Sequence, residues 1–148
     1  MTTIRYLMTT DHRRCDDLFA ATELAIGGND HDAAATAFAQ FQMAMLAHFA
    51  AEELSLFPAF EAKTGLHQGP TQVMRLEHEQ MRSLLSEAGE ALLAGHVDDY
   101  LGQAESLLIM MQQHNMKEEN ILYPMCDQQL IVELPAVLER LGGELATR

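Results

Sequence analysis

Two stretches of this chain, His48-Phe-Ala-Ala-Glu52-Glu53-Leu-Ser-Leu-Phe57-Pro58 and His114-Asn-Met-Lys-Glu118-Glu119-Asn-Ile-Leu-Tyr123-Pro124, share the pattern His-x-x-x-Glu-Glu-x-x-Leu-aromatic-Pro. They lie 114 − 48 = 66 residues apart, as do His12 and His78 (78 − 12 = 66). On helical stripes, His12, His48, Glu52, His78, His114 and Glu118 make a donor set for two first-row transition metals, with the carboxylates able to bridge. A lone inward histidine is more often a hydrogen-bonded core residue, but six such residues at repeated spacing are another matter. Burying two carboxylates without counter-charge is expensive, and no Lys or Arg stands at neighbouring stripe positions to offset it. Metal therefore explains the pattern better than a bare polar layer. Zinc more often takes a closed four-ligand site, whereas iron suits a paired, carboxylate-bridged one.

The periodicity around these residues is helical. Met8, His12, Cys15, Phe19, Thr22 and Ile26 alternate by four and three, which is one helix face. Gly27-Gly28 supplies a left-handed-tolerant stop, and Asn29-Asp30 can cap the next helix. That helix carries Phe38, Phe41, Met45, His48 and Glu52 and then meets Pro58, which predicts a kink or an end before Lys63-Thr-Gly65. Pro70 suits the first turn of a third helix, whose stripe of Met74, His78, Met81, Leu85, Ala88 and Leu92 repeats the first. A fourth, with Ala104, Leu107, Met111, His114 and Glu118, repeats the second. The expected fold is all-α: an up-down-up-down four-helix bundle with an internal two-fold repeat (halves about 8–62 and 74–128) in a single domain, 1–148. A short apolar pattern around Pro135, Val137, Leu138 and Leu141 predicts a covering helix that ends at Gly142-Gly143.

Register brings the ligands together. His12 lies 29 − 12 = 17 residues before Asn29 and His48 lies 48 − 29 = 19 after it; the same counts hold for His78 and His114 about Gly95. Antiparallel neighbours then place all four histidines at similar height, near one end of the bundle. A residue and its i+4 neighbour share a helix face about 6 Å apart, whereas i+5 points away, so Glu52 and Glu118 face inward and Glu53 and Glu119 do not. Asp11 and Glu77, each preceding a ligand histidine, read as helix-start or surface carboxylates, with a tautomer-fixing role as the alternative. His31, His67 and His96 read as solvated, Cys15 as core, and the ten methionines as adaptable core.

Composition excludes several classes. A net charge of −13, with only 9 Lys and Arg, repels phosphate backbones and anionic lipid surfaces, which argues against nucleic-acid and membrane roles. Cys15 and Cys126 fit no disulfide framework or Cys-x-x-Cys motif and read as reduced thiols. The first residues have no signal-peptide core and no run of 18 apolar residues occurs, so the expected location is the cytoplasm.

The combination of His12, His48-x-x-x-Glu52, Glu77-His78 and His114-x-x-x-Glu118 resembles the hemerythrin-like (HHE cation-binding) family, over roughly residues 8 to 125. The resemblance implies two iron ions in a non-haem di-iron centre, with His12 and His114 on one iron, His48 and His78 on the other, and Glu52 and Glu118 bridging. Oxygen carriers of this kind place a further histidine four residues after the helix-three histidine, where this chain has Arg82, and an Asp five residues after the last histidine, where it has Glu119. The pattern looks more like bacterial hemerythrin-like proteins linked to iron-centre repair, nitrosative stress and peroxide handling. It implies a protein that binds, and can reduce, O2, peroxide or nitric oxide. The alternatives are a reversible O2 carrier, a sensor or iron donor without catalysis, and an interaction bundle with structural metal. His31 or a nearby tyrosine is a candidate further ligand, and no residue is assigned to catalysis.

Overall fold

The stripes are realised as helices. In the computed structural model, which describes residues 2–146, these are α1 (Ile4–Gly27), α2 (His31–Ala51), α3 (Phe57–Thr64), α4 (Pro70–Leu93), α5 (Val97–Lys117), α6 (Tyr123–Gln129) and α7 (Leu134–Ala146), and no strand occurs among the described residues. Met1 and the last two residues of the expected 1–148 span lie outside the described residues. The repeat extends to helix boundaries: α4 starts 70 − 4 = 66 residues after α1, and α5 starts 97 − 31 = 66 after α2.

Local chemistry sets the ends. The Thr3 hydroxyl accepts from the Tyr6 N–H, and Asp127 of α6 accepts from the Ile4 and Arg5 N–H groups, so three orphan donors of α1 are satisfied. Asp30 caps α2 through the Ala33 N–H, and Pro70 opens α4 as expected. The left-handed residue of the first reversal is not a glycine of the Gly27-Gly28 pair but Asn29 (φ 56°); its repeat counterpart Gly95 has φ 77°. Asn tolerates that region because its short side chain costs little there.

Pro58 neither ends nor sharply interrupts its helix. Glu52–Leu56 form a π-helical turn between α2 and α3, and Glu118–Leu122 form another between α5 and α6. The Phe57 N–H bonds to the Glu52 carbonyl and the Tyr123 N–H to the Glu118 carbonyl, each five residues back. A proline ring inside an α-helix clashes with the carbonyl four residues earlier, and a widened turn relieves that clash.

Packing divides into two apolar clusters. One, on the side of the hairpin turns, includes Cys15, Phe19, Phe38, Phe41, Phe49, Met81, Leu85, Leu92, Tyr100 and Met111. The other includes Ile4, Met8, Leu56, Phe57, Phe60, Met74, Leu122, Tyr123, Cys126, Val137, Leu141 and Leu145. His12 falls between Met8 and Cys15, and His78 between Met74 and Met81, so the polar residues form a layer between the clusters. The layer lies toward the end of the bundle away from the hairpin turns, where the chain continues past it and α7 packs on the helices. α7 packs on α1, α2 and the first π turn, with Ser55 hydrogen-bonded to Glu144, and it runs through Gly142-Gly143 instead of stopping there. Leu141 and Leu145 on either side are buried and hold it. Among the described residues, no helix is long and apolar enough to cross a membrane.

Candidate metal centre

Each helical hairpin delivers two histidines at matched height. The α1–α2 pair places the His12 and His48 rings 4.6 Å apart, and the α4–α5 pair places His78 and His114 5.0 Å apart. The π turns add Glu52 and Glu118, both fully buried. All six residues of the expected ligand set are thus brought together.

Their grouping differs from the one the resemblance implies. His12, His48 and Glu118 have donor atoms mutually within 4.8 Å, and so do Glu52, His78, His114 and Glu118. In these groups the histidines of one hairpin stand together, because the short connections fix their relative height. Glu118 Oε1 lies 3.1 Å and 3.2 Å from His12 and His114, while Glu52 Oε1 lies 3.6 Å and 3.0 Å from His48 and His78. Glu118 belongs to both groups.

The interior atoms are close without being aligned on one another. His78 Nε2 lies 3.0 Å from Glu52 Oε1 and His114 Nε2 lies 3.2 Å from Glu118 Oε1. Yet Glu52 Oε1, Glu118 Oε2 and both of those nitrogens have no hydrogen-bond partner. Buried polar atoms left unmatched cost about 1–3 kcal/mol each, more when charged. Four donors aimed at a common space fit a cation better than they fit each other.

A second ring of carboxylates holds the imidazoles from outside. Nδ1–H donates to Glu119 from His12 (2.7 Å), to Asp11 from His48 (2.7 Å), to Glu53 from His78 (2.7 Å) and to Glu77 from His114 (2.8 Å). A carboxylate only accepts, so Nδ1 carries the hydrogen and Nε2 faces the interior. Asp11 and Glu77 are thereby corrected from surface carboxylates to histidine anchors, and each reaches the partner helix of its own hairpin. Glu53 and Glu119 point away from the interior as expected, but each anchors a histidine of the opposite hairpin. Three anchors are backed by cations: Arg14 on Asp11 (2.8 Å), Arg82 on Glu53 (2.7 Å) and Lys117 on Glu77 (2.5 Å).

The charges follow. Burial alone would raise Asp11, but His48 and Arg14 hold its carboxyl below the usual range; burial is likewise outweighed at Glu53, lowered to about 2 by His78 and Arg82. Burial and the neighbouring Glu118 raise Glu52, whereas Glu118, despite burial, is held down by His114, Glu52 and His12. Burial disfavours charge on His12 and His78 as well, yet carboxylates on both ring nitrogens raise them from 6.5 to about 10 and about 9. Both therefore stay protonated at neutral pH, and a metal must displace those protons from Nε2. Affinity for divalent metal should rise about tenfold per pH unit for each proton released, levelling off only as pH passes about 9 to 10. Calorimetry in buffers of different ionisation enthalpy counts the protons, and an affinity that falls between pH 7 and pH 8 would contradict this.

Tyr123 also enters the site. Its hydroxyl lies 2.7 Å from Glu52 Oε2, 2.9 Å from Glu118 Oε1, 3.2 Å from His12 Nε2 and 3.3 Å from His48 Nε2. The sequence signal was the aromatic position of the repeated motif, and the π turn explains the reach, since i+5 lies nearly above i in the wider helix. Of the two candidate further ligands, the tyrosine is at the site. His31 is exposed at the start of α2, and His67 and His96 are exposed as expected.

The family model described as the hemerythrin HHE cation binding domain matches residues 3–126. No curated protein and no solved structure matches the chain significantly.

Proposed function

The chain belongs to the hemerythrin HHE cation-binding domain family, and on that premise we propose that it is a cytoplasmic non-haem di-iron protein that binds and reduces small oxygen or nitrogen species, namely O2, peroxide or nitric oxide. In this reading α1, α2, α4 and α5 form an up-down-up-down bundle within one domain. His12 and His48 with Glu118 hold one iron, and His78 and His114 with Glu52 and Glu118 hold the other. When bound, the irons supply one-electron redox chemistry and positions open to a small ligand.

The protein's own residues do the rest. Asp11, Glu53, Glu77 and Glu119 fix the imidazoles by their Nδ1–H groups. The two apolar clusters exclude bulk water from the layer between them. Arg82, where a carrier has a further histidine, turns to Glu53 and Glu79 and adds no donor to the interior. That favours reaction over reversible carriage.

The observation that carries this reading is the set of four buried, unpartnered donor atoms on Glu52, His78, His114 and Glu118. Protein purified under iron-replete conditions should hold about two irons per chain. Iron analysis with Mössbauer spectroscopy measures this, and a fully occupied mononuclear site would sink the paired model.

A further inference from the structure

The repeat predicts two equivalent halves, but one atom breaks the equivalence. Tyr123 and Phe57 occupy the same motif position (123 − 57 = 66) and stand in the same way against the site. Tyr123 stacks on His12 with ring centroids 5.7 Å apart, and Phe57 stacks on His78 at 5.7 Å. Only the tyrosine carries a hydroxyl. It sits among His12 Nε2, His48 Nε2, Glu52 Oε2 and Glu118 Oε1. The donor atoms without partners, Glu52 Oε1, Glu118 Oε2, His78 Nε2 and His114 Nε2, all belong to residues of the other group.

We propose that Tyr123 sets the order in which the two metal positions fill. The position of His78, His114, Glu52 and Glu118 fills first, and that of His12, His48 and Glu118 fills second and more weakly. This rests on the paired-site reading above and concerns the path to it. A first metal at His78 and His114 meets donor atoms with no aligned hydrogen bond, so it displaces ring protons facing Glu52 and Glu118 but no competing hydroxyl. A second must displace the Tyr123 hydroxyl from its contacts with two histidines and two carboxylates, and hydrogen bonds to charged groups are the stronger kind. A neutral phenol is a poor ligand for a divalent ion, so the hydroxyl competes for this space. Over a range of metal supply the protein is then singly loaded, and the two-metal form appears only above it.

The test is anaerobic titration of the metal-free protein with cobalt(II), followed by calorimetry and by the visible cobalt bands. The wild type should bind in two steps separated by at least about tenfold in affinity. Tyr123→Phe should tighten the second step until the two merge within about threefold, while the first stays put. Phe57→Tyr, which sets a hydroxyl against His78, should weaken the first step about tenfold. His12→Ala should retain the tight step and His78→Ala should lose it. Circular dichroism and thermal melting establish that each variant is folded, and Tyr123→Phe is conservative enough to carry the test alone. Two equal steps in the wild type would overturn the proposal, as would a second step weakened by Tyr123→Phe, which would make the phenol a ligand and not a competitor. Binding of a single cobalt by wild type and Tyr123→Phe alike would instead remove the paired-site reading, and this proposal with it.

Discussion

Glu118→Ala should cost the protein both metal positions, whereas His12→Ala should cost it one. Among the described residues, Glu118 belongs to both donor groups. Loss of a residue that merely orients a ligand lowers metal affinity about 10–100-fold. Loss of a shared ligand should exceed the upper end of that range at both positions, as equilibrium dialysis with metal analysis can measure. The same substitution leaves His12 and His114 facing a buried space without the carboxylate now 3.1 Å and 3.2 Å from their Nε2 atoms. Removing one member of a buried ion pair costs about 3–5 kcal/mol, so the metal-free variant should also unfold at lower urea concentration. A Glu118→Ala protein that kept one metal at wild-type affinity would show that the shared carboxylate is not shared.

Mixing the iron(II)-loaded protein with O2 should give rapid oxidation to iron(III), with little oxygen recovered on deoxygenation. The argument runs through Arg82. Its guanidinium lies 2.7 Å and 3.0 Å from the Glu53 carboxylate and over the Phe49 ring at 5.4 Å, facing away from the interior. The side chain that replaces a carrier's additional histidine thus secures the anchor of His78 and leaves the donor count low. A site short of protein donors keeps room for a small ligand beside each iron, which favours reaction over reversible binding. Arg82→His puts an imidazole 82 − 78 = 4 residues from His78, one turn along the same helix, and removes the cation from Glu53. That variant should oxidise more slowly in stopped-flow mixing. A wild-type protein that releases its oxygen on deoxygenation would promote the carrier reading instead.

The repeat made most of this architecture readable before any coordinates. A 66-residue offset places four helices, both reversals and six inward side chains, because stripe periodicity and matched counts about Asn29 and Gly95 depend only on helical rise and twist. What it could not place were contacts between elements. Asp11 and Glu77 are off the inner face of their own helices, so single-helix geometry assigns them to the surface, yet each lies against the next helix of its hairpin, anchoring His48 and His114. Histidine grouping by donor distance likewise departs from the pairing the resemblance implies, because the length of each connection, which the motif does not carry, sets which rings stand at one height. Tyr123 was visible as a motif aromatic, but uniform α-helical spacing turns i+5 from Glu118 well off the inner face. Only the π turn brings it back.

Those two π turns place a constraint on the chain that is one of counting. A helix advances its heading by about 100° per residue, so residue number works like a reading frame for direction. Between Glu52 and Phe57, and again between Glu118 and Tyr123, each half carries one residue more than an uninterrupted α-helix would use to return to the same face. Substituting Leu54, exposed on the first turn, leaves the frame intact. Deleting any single residue of that turn would remove the widened turn, bring back the clash of the Pro58 ring with the preceding helical turn and swing everything downstream by about 100°. The result would be a strained helix with Phe57 and Phe60 aimed out of the core. These ten positions can thus change letters where side chains face solvent, but not how many letters there are.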